Sequence, residues 1–225
     1  MESERSAQWV AVIPVKGNPG AKSRLGDRRD RPRLAEAFAL DTVAAVLAAR
    51  GVDLVLVITA DDELAARLAA LGAEIVPEEA GVVGERVPAD PMNSAIRRGL
   101  TAARVRFPWS NLIVMTGDLP ALTPAEVEHA IALAAGHERS MVPDAAGTGT
   151  TTLLALAGLS VEPRFGPSSR AAHEAAGHVP LEIPRATGIR SDVDTADDLL
   201  VAERLGLGAH TRPLVAGDPA AASVR

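Results

Sequence analysis

Cysteine and tyrosine are both missing from this sequence of 225 residues, and lysine is nearly so. Without cysteine there are no disulfides and no thiolate metal sites, so any metal must be held by oxygen or imidazole. No apolar run reaches the roughly 20 residues that span a bilayer. The opening MESERSAQ is charged and polar where a signal peptide needs an apolar segment. The expectation is a cytoplasmic protein with no membrane partner. Clustered positive charge is lacking as well: the formal charge is −6 and the arginines are scattered, so no nucleic-acid polymer is expected to bind. No Pro/Gly/Ser-rich linker divides the middle. The reading is one domain over residues 1–209, followed by an Ala/Gly/Pro-rich tail, 210–225, expected to be disordered.

The scarcity of lysine is informative. Of 23 basic residues 21 are Arg, and the two lysines, Lys16 and Lys22, stand six positions apart in one stretch, VIPVKGNPGAKSRLG, residues 12–26. In so Arg-biased a chain, a Lys that persists points to a place where a compact ammonium serves and a planar guanidinium does not. The stretch is not a P-loop. That motif sets Lys directly after its second Gly, whereas Ala21 separates Gly20 from Lys22 here, and Pro19 removes an amide that would face phosphate.

Short β-branched runs alternate with longer Ala/Leu-rich periodic runs, the pattern of βαβ units and a mostly parallel sheet covered on both faces. Strands are expected at WVAVIPV, DLVLVIT, AEIVPE, NLIVMT, SMVPD, GTGTTTLLALA and LEIP. Helices are expected from Pro32 to Gly51, over DDELAARLAALG and MNSAIRRGLTAARV, from Pro124, over the run after FGPSS, and after Thr195. Thr123-Pro124-Ala125-Glu126 spells a capping box with Pro at the first helical position, and Thr195 with Asp198 has the same N-cap spacing. Residues 77–91 have no period and read as a long functional loop.

In open α/β sheets ligands collect beyond the carboxyl ends of the strands. Three elements fall there: the lysine loop, Asp118 after NLIVMT, and the pair Asp192 and Asp194 before the last helix. Two carboxylates from distant strand ends are what Mg²⁺ needs when substrate phosphates supply its other ligands. Gly-Asp-x-Pro also suits an ordinary turn, and an acid beside a helix N-terminus is favoured by the dipole alone; it is their joint occurrence with the lysines that points to a site. GTGTTTLL places Thr150 and Thr151 at a strand start, where hydroxyls can meet phosphate or simply favour a strand. FGPSS ahead of a helix offers Gly166, Ser168 and Ser169 to an anion, and His173 suits either packing or ligation. No Ser/His/Asp or Cys/His arrangement is present, and the remaining histidines have no metal spacing.

Taken together VIPVK, AKSRL, TGDLPALT, GTGTT, FGPSS with its following His, and DVDTADDL resemble the guanylyltransferases of coenzyme F(420) biosynthesis, over residues 9 to 205. The resemblance implies an α/β, mostly parallel three-layer sandwich, Rossmann-like and related to the nucleotide-diphospho-sugar transferases. The sugar enzymes' G-x-G-x-R loop is replaced here by Lys16 to Leu25. It implies GTP and a small phosphorylated three-carbon acid, phosphoenolpyruvate or 2-phospho-L-lactate, as partners, with hand-over of a labile product to a following enzyme. Lys16, Lys22, Arg24 and Asp118 are then expected in catalysis, and Pro14, Lys22, Asn93 and Gly117 at the nucleotide. Thr150, Thr151, Gly166, Ser168 and Ser169 are expected at the phosphorylated acid, and Asp118 with Asp194 at Mg²⁺. Met92-Asn93 stands where the family has Leu-Asn. Other nucleotidyltransferases of this fold, and a nucleotide-binding module without turnover, are the competing readings.

Overall fold

A computed structural model describes residues 9–15, 25, 30–77 and 90–216. Strand β1 (Trp9–Pro14) is buried at every position and forms the middle of the fold. Around it lie β2 (Val52–Thr59), β3 (Glu74–Pro77), β4 (Asn111–Met115), β5 (Arg139–Pro143), β6 (Thr150–Ala155) and the two-residue β7 (Val179–Pro180), in the order β3-β2-β1-β4-β6-β5-β7. Only β6 runs against its neighbours, so the sheet is mostly parallel with one reversed strand.

Because side chains alternate along a strand, β1 serves two cores. Ala11 and Ile13 meet α1 (Arg31–Leu47), α2 (Asp62–Leu71) and α4 (Pro124–Ala134), while Val10 and Val12 meet α3 (Pro91–Arg106). This is the expected three-layer sandwich. Gly99 of α3 lets the helix lie on the sheet: a Cβ there would come within 2.5 Å of both Ile58 and Val12. The Thr123–Glu126 capping box starts α4, and a second one, Thr195 with Asp198, starts α6 (Ala196–Leu205). Among the described residues no helix is long and apolar enough to cross a membrane.

Two expectations need correction. LEIP forms no strand: β7 stops at Pro180, the Leu181 N–H adds a last bond to the Met141 carbonyl of β5 at 2.8 Å, and residues 181–184 drop Leu181 and Ile183 into the core. Residues 210–216 of the expected disordered tail are folded onto the domain: the buried carboxylate of Asp41 in α1 accepts the backbone N–H groups of His210 and Thr211, both at 2.8 Å, and the chain then forms α7 (Arg212–Ala216). Gly208 permits that approach, since a Cβ would lie 2.3 Å from the Asp41 carboxyl carbon. Residues 217–225, the lysine loop 16–24 and residues 78–89 of the long loop lie outside the described residues.

Helix α5 (Ser169–Ala175) is anchored by one histidine. His173 is fully buried; its Nε2 accepts the Arg164 N–H at 3.0 Å, and its Nδ1 lies 3.0 Å from the Thr150 hydroxyl. Since Nε2 accepts, the ring is neutral, with its proton on Nδ1 donated to Thr150. Burial, then the neighbouring His178 and Arg164, push its pKa down to about 4, and burial lowers His178 too. The unfolded chain therefore takes up protons that the native state refuses, and stability is complete above about pH 6.5 and declines as pH falls toward 4. Thermal unfolding at pH 7 and pH 5 should show a larger drop in Tm for the native sequence than for His173→Gln; parallel pH profiles would show that His173 does not resist protonation.

Candidate active site

The carboxyl ends of β1 and β4 and the start of the reversed β6 meet along one edge of the sheet. The Thr116 N–H donates to the Thr151 carbonyl at 2.9 Å, extending the β4–β6 pairing toward the turn. Gly117 follows, packed so tightly that a Cβ would lie 3.0 Å from the Pro14 carbonyl oxygen and 3.1 Å from the Val15 side chain. The end of β1, from which the lysine loop departs, and the turn that carries Asp118 are thereby brought into contact.

Asp118 is held from two sides. The Leu119 N–H donates to the Thr42 hydroxyl of α1 at 3.0 Å, and that hydroxyl donates to the Phe38 carbonyl at 2.8 Å. On the other side the Asp118 carbonyl accepts the Val193 N–H at 3.1 Å, which sets Asp192 and Asp194 beside it. The Thr116 hydroxyl, buried next to this turn, has no hydrogen-bond partner among the described residues.

A 3-10 turn, Gly188–Arg190, delivers the second acidic segment. The Thr151 hydroxyl donates to the Ile189 carbonyl at 2.7 Å, and the Gly188 N–H donates to Glu126 at 2.7 Å. No other residue fits at 188, because a Cβ would sit 2.0 Å from the Ala121 oxygen. The buried Arg190 guanidinium donates to the carbonyls of Asp144, at 2.7 and 3.2 Å, and Ile183, at 2.7 Å. The Ala145 N–H returns a 2.7 Å bond to the Arg190 carbonyl. Beyond the acids, Asp198 accepts the N–H groups of Asp194 and Thr195, so the segment is fixed at both ends.

The result is a concentration of like charge. The pKa of Asp192 is pushed up to about 7, first by burial, then by the charges of Asp118 and Asp194, with Asp144 adding a smaller share. Unit charges about 4 Å apart repel by ~4 kcal/mol at an effective dielectric of 20, so a cation is the natural occupant of such a place. Among the described residues no three acidic or imidazole side chains are gathered closely enough to enclose a metal by themselves. The donor set instead fits a hard cation that shares one or two carboxylates with bound phosphates.

A second loop, 164–168, precedes α5. Gly166 has φ +132° and Ser168, a non-glycine residue, φ +57°, a conformation costing roughly 1–2 kcal/mol. Ser168 is exposed and Ser169 buried. The Arg170 N–H and guanidinium donate to the carbonyls of Thr148 and Gly147, tying this loop to the turn after β5, where the Asp144 carboxylate accepts the N–H groups of Gly147 and Thr148.

Of the residues expected from sequence, Pro14, Gly117, Asp118, Thr151 and Asp194 share the sheet edge, and Thr150 reaches the second loop through His173. The hydroxyls of Thr150 and Thr151 are already engaged, with His173 and Ile189. Asn93 was expected at the nucleotide, yet it is buried with its carboxamide bonded to the backbone of Phe165. Lys16, Lys22 and Arg24 lie outside the described residues. The sequence marked Asp192 and Asp194 as a pair, with Asp194 expected at the metal, but passed over Asp144 and Arg190, which nothing local marks.

Comparison with known proteins shows the family and the fold. Residues 20–181 match the model of the MobA-like NTP transferase domain. The chain is 48% identical over 208 residues to the phosphoenolpyruvate guanylyltransferase of Streptomyces scabiei, covering 91% of this chain and 94% of the relative. It is 40% identical to the enzyme of the same name from Mycobacterium leprae, covering 91% and 93%. In fold it is similar to a protein from Desulfovibrio desulfuricans assigned as a nucleotide-diphospho-sugar transferase (TM-score 0.58, 16% identity, 96% and 93% covered). It is also similar to a 4-diphosphocytidyl-2C-methyl-D-erythritol synthase (TM-score 0.56, 14% identity, 88% and 98% covered). With near-complete coverage of its relatives at this identity, the chain belongs to the phosphoenolpyruvate guanylyltransferase family within the MobA-like NTP transferases, and it is a nucleotidyltransferase.

Proposed function

We propose that this chain transfers GMP from GTP to the phosphate of phosphoenolpyruvate, releasing pyrophosphate, as a step toward coenzyme F(420); 2-phospho-L-lactate is the alternative acceptor. The observation that carries the reading is the meeting of Asp118, Asp192 and Asp194 at the end of the strand beside β1, in a chain 48% identical to an enzyme named for this reaction. A phosphate oxygen of the acid attacks the α-phosphorus of GTP, a new P–O bond forms, and the bond to the β-phosphate oxygen breaks. The attacking phosphate is already largely ionised at neutral pH, its second pKa being about 6, so no general base is required. What the protein must do is hold several anions together in line.

Asp118 and Asp194, with Asp192 between them, would hold Mg²⁺ against the nucleotide phosphates. Bound there, the ion neutralises their charge and orients them. Lys16, Lys22 and Arg24, on the loop leaving β1, offset the charge that remains, while Pro14 and Gly117 form the floor under the nucleotide. Gly166, Ser168 and Ser169 receive the acid, with Thr150 supporting their loop and Thr151 holding the acidic segment through Ile189. Residence in the cytoplasm and hand-over of a labile product belong to the same reading.

Four nucleoside triphosphates tested against both acids, scored by pyrophosphate release and product mass, decide the reaction. GTP with phosphoenolpyruvate should give the highest rate, and release that needs no acid would exclude the assignment. Asp118→Asn keeps size and turn geometry but removes a negative oxygen, so kcat should fall on the order of a hundredfold or more with little change in Tm. A rate near the native one at saturating Mg²⁺ would remove the metal role from Asp118.

The lysines give an independent check. Lys22→Arg conserves charge in a protein otherwise nearly free of lysine, but it replaces a compact ammonium by a planar fork. The expected loss in kcat/KM for GTP is about tenfold, a change equivalent to ~1.4 kcal/mol. Unchanged kinetics would make the pairing of the two lysines incidental.

A further inference from the structure

Two buried polar side chains from different elements grip adjacent backbone units of the loop 164–168. Asn93, in the first turn of α3, accepts the Phe165 N–H on Oδ1 at 2.9 Å and donates from Nδ2 to the Phe165 carbonyl at 2.9 Å. Its second Nδ2 hydrogen goes to Asp90, the N-cap of the same helix, so the carboxamide orientation is fixed: turned over, it would set N–H against N–H. One residue earlier, the Arg164 N–H is taken by Nε2 of His173, whose Nδ1–H holds Thr150 at the start of β6. Phe165 lies between the two grips, its ring edge-on to His173 at 5.1 Å.

The arrangement reaches beyond the core to which Phe165 belongs. Phe165 is buried, but the residues that follow it, Gly166, Pro167 and Ser168, are exposed. Two of these three have positive φ, a conformation the chain keeps only when its surroundings enforce it. Burying a carboxamide and an imidazole to hold the stem of an exposed, strained loop is how a binding loop is given one shape before its ligand arrives.

We propose that Asn93 and His173 are positioning residues that set the affinity for the phosphorylated acid by fixing the stem of the loop that receives it. The inference rests on the assignment of the acid to Gly166–Ser169. Neither side chain touches substrate. The nucleotide, held on the lysine-loop side of the acids, is unaffected by them. This role replaces a direct nucleotide contact for Asn93.

The test is steady-state kinetics on Asn93→Asp and His173→Gln, with GTP and phosphoenolpyruvate each varied at saturating levels of the other. Asn93→Asp keeps the acceptor for Phe165 N–H and loses the donor; His173→Gln keeps one polar end. A thermal melt accompanies each variant. We expect KM for phosphoenolpyruvate to rise about tenfold, with kcat and KM for GTP within about twofold of the native values. Ser168→Ala, which leaves the clamp intact and alters the loop itself, is measured in parallel. If Ser168→Ala weakens acid binding while a folded clamp variant does not, the clamp inference is overturned and the acid site stands. If none of the three changes KM for the acid, both fall. Equal losses for both substrates, or a fall in kcat alone, would also overturn the clamp. Should one clamp variant fail to fold, the other decides.

Discussion

The approach of Asp192 to Asp118 and Asp194 is the constraint on which the candidate site depends. Asp118, Asp192 and Asp194 come from two segments more than seventy residues apart and would separate if the backbone allowed it. What holds them is a set of short bonds from neutral groups: Thr42 to the turn of Asp118, Thr151 to the Ile189 carbonyl, and the Val193 N–H to the Asp118 carbonyl. Each such bond contributes about 1 kcal/mol, so several are needed to hold one like-charge contact. The buried Arg190, which faces backbone carbonyls and not the acids, makes the same point. Its donors stiffen the turn and leave the negative field in place.

Tight backbone contacts complete the arrangement. Gly188 against Ala121 is a position where no side chain fits and Gly117 against Pro14 one where a side chain would be crowded, and each joins a loop of the site to a neighbouring element. Under the proposed function a bound cation would supply the charge that the scaffold withholds. The second loop is organised by the opposite means, with neutral side chains, Asn93 and His173, on neutral backbone. One half of the site is built to attract cations and the other to present a shaped backbone.

Much of the fold was legible because it rests on local, periodic signals. The unbroken apolar run of β1, the Thr123 and Thr195 capping boxes and the apolar faces of α1 and α3 all express themselves within a few residues. The position of Asp118 was legible because it follows a buried strand by three residues. The rest depends on side-chain-to-backbone bonds across long separations, such as Asn93 to Phe165 over 72 residues and Asp41 to Thr211 over 170. These leave no period. Asp41 did leave a trace, a lone acid inside the apolar run AFALDTVAAVLAA, which marks a buried acceptor for backbone N–H groups of a distant segment. LEIP misled because a short apolar run reads equally as strand or as buried coil, and only the end of the sheet decides.

The central claim is that the acids form a repulsive cluster completed by a divalent cation. Thermal unfolding of Asp192→Asn beside the native protein tests it most directly, at pH 8, once with a chelator and once with Mg²⁺ and GTP. Removing one negative charge should raise Tm relative to the native protein in the chelator, and should lower it relative to the native protein once Mg²⁺ and GTP are present. A variant that is less stable than the native protein in the chelator, or that gains as much from Mg²⁺ and GTP as the native protein does, would contradict the account.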